Sequence, residues 1–351
     1  MRVVHYRVIK ALVVASALAL ACAAGAAAQT ALSESGSTLL YPLMQVWATE
    51  YERLHAGVTI SAEATGSGAG ISKALAGSAT IGGSDAYLSD AQRAQGAINI
   101  PLAVSAQQID YNLPQLNTVR LRLSGPVLAG IYSGRVRNWD DPALTALNPG
   151  VPLPHHAIVP IRRAEGSGDT FLFTQYLSFS DPSWEAGANY GTRVRWPAVA
   201  GEQQARGNAG VLELCKNAPY SIAYVGISFF EQARAAGVGY AALRNRDGAF
   251  VEPAAESIEA ATRSARVPGD GRVSLVFRPG RDVYPIVNFE YAVVKTHQPD
   301  TATAERVRAF LSWIVEPQGG NANSFLQPVH FVPLPADVLS LSKKMIASIG
   351  G

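Results

Sequence analysis

The apolar residues Leu43, Val46, Trp47, Tyr51 and Leu54 recur at helical spacing across Tyr41 to Leu54, and Pro42 stands where a first helical turn tolerates proline. This predicts a helix whose start points at Ser37 to Leu39. Val58 to Ala64 alternates as a strand does and leads through the loop Thr65 to Gly70 into a second helical pattern beginning near Ile71. A short apolar run from Ala79 to Gly83 closes on Ser84 and Asp85. Farther on, Ile158 to Ile161 reads as a strand running into Arg162 to Asp169, followed by a helix through Phe171, Leu172, Gln175, Tyr176 and Leu177. Val273 to Phe277 and Ile286 to Val294 read as strands, Ala302 to Ile314 and Ala336 to Ile349 as amphipathic helices. Pro142 to Pro154 and Ala198 to Gly210 read as Pro/Gly-rich loops, and no repeat of fixed period is present. Strands alternating with helices predict an α/β architecture, whose ligand loops lie at strand-to-helix junctions.

With 48% hydrophobic and 16% charged residues over 351 positions, the chain is neither disordered nor a coiled coil, and one or two globular domains are expected. The basic residues Arg2, Arg7 and Lys10 precede an Ala-rich apolar stretch, Ala11 to Ala28, that ends on small residues. Residues 1–28 therefore read as a signal peptide for export. The run is short and dominated by Ala, which argues against a retained membrane anchor. Lipidation at Cys22 is the alternative, because Ala19, Leu20, Ala21 and Cys22 loosely resemble a lipoprotein cleavage box; either route places the protein outside the cytoplasm. Removing residues 1–28 takes away three basic groups and no acidic ones, leaving 26 Lys+Arg against 27 Asp+Glu. A nucleic-acid partner is not favoured by such a balance. Cys215 then remains as the one cysteine, which precludes an intramolecular disulfide and reads as a small apolar residue.

Three loops carry the candidate chemistry: SGSTLLYP (35–42), TGSGAG (65–70) and RRAEGSGDTF (162–171). Each offers hydroxyls and glycines at an expected helix start, where free backbone N–H groups and the helix dipole suit an anion, although each alone also reads as an N-cap. Arg163 adds a planar fork of donors for a tetrahedral oxyanion, or else forms a surface ion pair with Glu165. Asp85 carries more information. A carboxylate beside an anion repels it unless the anion has a proton to donate, which phosphate near neutral pH has and sulfate lacks. The other reading of Asp85 is a cap for a helix over Ala86 to Ala94. Neither a nucleophile elbow nor a Walker phosphate loop occurs, and His155 and His156 are adjacent, a spacing that suits no shared metal; no metal and no cofactor is expected.

SGSTLLYP, TGSGAG, GGSDAYLS, VPIRRAEGSGDTFLFTQYL, NAPYSIAYVGISFF and VYPIVNFEYAVV, in this order and covering nearly all of the chain beyond residue 28, resemble the phosphate-binding proteins of phosphate ABC transporters, the PstS family, most closely its mycobacterial branch. The resemblance implies a two-lobed periplasmic-binding-protein fold of α/β class, with a ligand cleft between lobes and a two-segment hinge. It implies lobe one at residues 29–110 plus 284–351, lobe two at 111–283, and crossings near Ile109 to Leu113 and Tyr284 to Phe289. It further implies a periplasmic, monomeric binding protein, not an enzyme, that delivers inorganic phosphate to membrane permease and ATPase subunits. Carried over residue by residue, the phosphate site comprises Ser37, Thr38, Leu39, Ser67, Asp85, Arg163, Ser167, Gly168 and Asp169, with Glu165 steadying Arg163. Two positions depart from many relatives: Asp169 stands where they have Thr, and Leu39 where they have an aromatic. A secreted phosphatase or a surface interaction protein is the reading from a different class.

Overall fold

The structure, a computed structural model, describes residues 30–351; the expected signal peptide and Cys22 lie outside the described residues. Nine strands form one mixed sheet: β1 (Thr30–Gly36), β2 (Val58–Glu63), β3 (Ile81–Ser84), β4 (Ala97–Asn112), β5 (Val159–Arg163), β6 (Gln203–Ala205), β7 (Ser221–Gly226), β8 (Gly239–Tyr240) and β9 (Val287–Lys295). Their order is β2-β1-β3-β9-β4-β7-β5-β6, with β8 beside β4. β1 pairs in parallel with β2 and β3, β5 in parallel with β6 and β7, and the antiparallel β4 and β9 lie between these groups. The parallel strands return through helices: α1 (Tyr41–Leu54), α2 (Ser67–Ala76), α3 (Gly168–Ser180) and α4 (Gly207–Asn217). Two more, α5 (Thr301–Val315) and α6 (Ala336–Ala347), complete the C-terminal part.

The longest strand, β4, changes partner along its length. Ala97 to Ala106 pair with β9, and Gln107 to Asn112 pair with β7. β4 thus belongs to both halves of the fold, and its residues are buried almost throughout. α1 buries Leu43, Met44, Trp47 and Tyr51 but leaves Val46 and Leu54, two residues of its expected face, 45% and 49% exposed, while α5 buries Val307, Phe310, Leu311 and Ile314. A smaller core of Ile161, Val211, Leu212, Ala223 and Val225 encloses Cys215, whose thiol is pushed up to about 12 by burial; it is packing, not a nucleophile.

Several expected elements are corrected. α2 begins at Ser67, not near Ile71, because Gly66, at φ +89°, turns the chain into the helix. Its first turn faces the site and not the core, so no apolar period marks it. Val273 to Phe277 is not a strand. The amide of Val276 donates to Ser274 Oγ (3.2 Å), that of Phe277 to the carbonyl of Pro285 (2.8 Å), and Phe277 sits at φ +57°, so Leu275 and Val276 are buried without a ladder. The stretch read as a loop from Ala198 to Gly210 contains β6 and the start of α4. Within Pro142 to Pro154 a single helical turn, Pro142–Thr145, is capped by Asp141. The helix placed over Ala86 to Ala94 shrinks to Asp90–Arg93, with Ser89 as its N-cap.

Candidate anion site

Every parallel strand that ends near the middle of the sheet hands the chain to a site residue. β1 leads into Ser37 to Leu40 and α1, β2 into α2 at Ser67, β3 directly into Asp85, β5 through Arg163 into α3 at Gly168, and β6 into α4 at Gly207. The starts of four helices therefore converge, each bringing unpaired N–H groups.

Asp85 is the meeting point. Its residue is 1% exposed; Ser37 Oγ donates to Oδ1 and Ser67 Oγ to Oδ2 at 3.2 Å. From the other half of the molecule Gly168 approaches so closely that a Cβ there would lie 2.2 Å from Asp85 Oδ2 and 2.5 Å from Ser67 Oγ. Only glycine permits that contact. The alternative of Asp85 as a helix cap is overturned, since Ser89 caps the short helix that follows. Ser37 Oγ also accepts from the amides of Leu39 (3.1 Å) and Leu40 (3.0 Å), so it closes the entry to α1 while pointing at Asp85. Leu39 buries its side chain against Gly226.

A second group surrounds Arg163. Its Nε donates to Glu165 Oε1 at 2.8 Å, Nη2 donates to the same oxygen, and Nη1 donates to Asp169 Oδ2. The pair with Glu165 is real but buried, which corrects its reading as a surface pair. Glu165 Oε1 accepts as well from the amide of Gly207 (3.0 Å), and the amide of Arg163 donates to Tyr224 Oη (2.9 Å), so the guanidinium is held from several sides. Ser167 caps α3 through the amide of Thr170 (3.4 Å).

Three site residues escape the sequence reading. Asn208, in the first turn of α4, donates from Nδ2 to Thr38 Oγ1 (3.0 Å) and Asp169 Oδ2 (2.8 Å), and its Oδ1 accepts from the amide of Gly226 (2.7 Å). Gln107, on β4, donates from Nε2 to Asp169 Oδ1 at 3.2 Å. Glu290, on β9, is wholly buried and is brought beside Asp85 by the register between β9 and β3. The available signals were a fourth strand-to-helix junction at Arg206 to Asn208 and single polar residues inside apolar strands.

The carboxyls outnumber the one arginine, and burial sets their titration. Asp85 is raised well above the ordinary carboxylate range by burial, then by the charges of Glu290 and Asp169. Burial also raises Asp169 against the pull of Arg163, and raises Glu290. Glu165 goes the other way: burial would raise it, but Arg163 holds it below its usual value. Burial thus favours the neutral form of these three carboxyls. Such a site combines a fixed guanidinium, hydroxyls, helix N-termini and buried carboxyls of raised proton affinity, which suits a small tetrahedral oxyanion.

A cleft of this kind, where strand ends from two lobes meet, defines a solute-binding protein. Residues 21–318 match a PBP superfamily domain. The "Phosphate-binding protein PstS" of Haemophilus influenzae is 33% identical over 316 residues, covering 89% of this chain and 91% of the relative. "Phosphate-binding protein PstS3" of Mycobacterium bovis is also 33% identical, over 326 residues, covering 88% and 84%. Among solved structures, PfluDING, a periplasmic phosphate-binding protein bound with phosphate at pH 8.5, superposes with a TM-score of 0.72 at 22% identity, covering 90% of this chain and 93% of that one; it supports the fold. The chain belongs to the PBP superfamily and, within it, to the PstS family of phosphate-binding proteins.

Proposed function

We propose that this chain binds inorganic phosphate between its two lobes outside the cytoplasm and delivers it to the permease and ATPase subunits of a phosphate ABC transporter, acting as a binding component and not as an enzyme. The observation that carries this reading is the convergence on Asp85 of two serine hydroxyls and, from across the cleft, the Gly168 backbone. Family membership supports the ligand, since the relatives are named for binding phosphate.

In this reading Ser37, Thr38, Leu39, Ser67, Ser167 and Gly168 supply hydroxyl and amide donors, Arg163 the charge, and Asp85 and Asp169 accept the protons that phosphate carries. Now Ser37 bonds to Asp85 and Arg163 to Asp169. Phosphate oxygens exchange for these partners, and the hydroxyls and guanidinium turn to the ligand. Charge-assisted hydrogen bonds contribute about 1.5 to 3 kcal/mol each, so four or five support micromolar affinity, about 8 kcal/mol, after ordering costs.

The lobe division at residues 29–110 plus 284–351 and 111–283 is supported by the partner change along β4 and by Tyr284, whose hydroxyl donates to the Gln107 carbonyl at 2.9 Å. Residues 1–28 act as the export signal, giving a periplasmic monomer, with a lipid anchor at Cys22 as the alternative. No helix among the described residues is long and apolar enough to cross a membrane.

Equilibrium dialysis with labelled phosphate tests the site. Asp85→Asn is expected to weaken binding by about 10- to 100-fold, the value of one charged hydrogen bond. Hydrolysis of a phosphomonoester that disappears in Ser167→Ala would instead establish a phosphatase.

A further inference from the structure

Glu290 is the one acid in the apolar run 283–294 and lies within β9. Its Oε1 accepts from Ser105 Oγ at 2.5 Å and from Asn288 Nδ2 at 2.9 Å. Its Oε2 is equally buried and meets no N–H or hydroxyl donor among the described residues. The register that sets Tyr291 opposite Ser84 brings Glu290 beside Asp85, and each carboxyl acts on the other's titration. Two buried carboxylates side by side repel each other, which favours a proton shared between them. The other ionisable groups facing this pair are Asp169 from α3, Arg163 beyond it, and Tyr291, next along β9. Burial raises the proton affinity of both carboxyls, and like charge adds to it.

We propose that Glu290, holding this proton on Oε2 and donating it to Asp85, fixes Asp85 as a hydrogen-bond acceptor and thereby sets the preference for a tetrahedral anion that itself carries a proton. The inference rests on the phosphate reading and adds a specificity-determining residue to it. Ser37 and Ser67 donate to the two Asp85 oxygens, and a ligand O–H takes the place of Ser37 on binding, so each Asp85 oxygen keeps a donor while Glu290 Oε2 has none. Asp85 is therefore the better supplied member for the negative charge, and Glu290 keeps the proton. With the proton on Asp85 and turned to the ligand, Asp85 would become a donor that accepts sulfate. Glu290 would then carry a buried charge with one oxygen unpartnered. That penalty is what excludes the unprotonated anion.

Glu290→Gln places an amide N–H where the carboxyl proton stands, whereas Glu290→Leu places no donor there. Titration calorimetry with inorganic phosphate and with sulfate, between about pH 8 and about pH 10 in buffers of different ionisation enthalpy, reads both affinity and proton uptake. Wild type is expected to take up a growing fraction of a proton per phosphate as pH rises, because the pair must be reprotonated. Glu290→Gln is expected to lose that rise, to keep phosphate affinity within about threefold and to reject sulfate still. Glu290→Leu is expected to lose about tenfold or more of the phosphate-over-sulfate ratio. A packing role alone would lower stability in both variants without moving the proton count or the ratio. Should Glu290→Leu fail to fold, the wild-type proton count and the Gln variant decide. Wild-type uptake that does not change with pH, or a Gln variant that accepts sulfate, overturns the inference while phosphate binding stands. A wild type that binds no phosphate overturns the function and this inference together.

Discussion

At the site the decisive residues are short polar side chains with two duties each. Ser37 closes the entry to α1 and donates to Asp85, and Asn208 joins Thr38 to Asp169 while fixing Gly226. Asp169 shows what a departure from many relatives does. Its carboxylate takes Arg163 and Asn208 on one oxygen and Gln107 on the other, so in the proposed site it would compete with a ligand for the arginine. Burial raises its proton affinity despite Arg163; at lower pH it protonates, releases the guanidinium and can accept from or donate to a monobasic phosphate. Phosphate affinity should therefore fall as pH rises, and Asp169→Thr should flatten that fall. Binding titrations at several pH values on both proteins check this, and identical profiles would sink it. The hydroxyl loops and the Arg163–Glu165 pair could be anticipated because strand, glycine loop and helix follow one another in the chain. Asn208, Gln107 and Glu290 could not, because each reaches the site only through sheet pairing that joins residues far apart in sequence.

Among the elements β4 was the largest omission: AINIPLAVSAQQIDYN has no alternation, since it is buried on both faces, and Pro101 interrupts its pattern. Its importance is that it runs through both halves. Asp110, near its end, is fully buried, accepts from Gln108 Nε2 at 3.1 Å, leaves Oδ1 without a partner, and is pushed up to about 7 by burial. Below an unfolded-state pKa of about 4 the residue is neutral in both states and costs nothing. As pH rises toward 7 the unfolded chain ionises first and the native state loses stability. Asp110→Asn should remove this loss, stabilising the protein at pH 8 by on the order of 2 to 4 kcal/mol with little change below pH ~4. Denaturant melts at the two pH values measure it; an equal shift at both would contradict the assignment. α1 and α5, by contrast, were legible as helices because one face of each is dry and the other wet, although Val46 and Leu54 of α1 lie on the wet side. Val273 to Phe277 misled because a buried turn can carry the same apolar residues as a strand.

For the whole molecule, the near balance of charge beyond residue 28 means that the anion is not drawn in by a basic field. Local dipoles, one arginine and buried carboxyls of raised proton affinity have to do it. A ligand that touches Ser37, Ser67 and Asp85 on one side and Arg163, Ser167 and Gly168 on the other stabilises the closed arrangement only by the contacts made on both sides. β4 and the stretch from Tyr284 into β9 are the connections about which we propose that such closure turns. Calorimetric titration of the chain from residue 29 with phosphate and, separately, with sulfate tests the central claim most directly. Saturable binding of one phosphate per chain at micromolar affinity or tighter, with no heat from sulfate, is the predicted result. Equal binding of the two anions, or none of either, would contradict it.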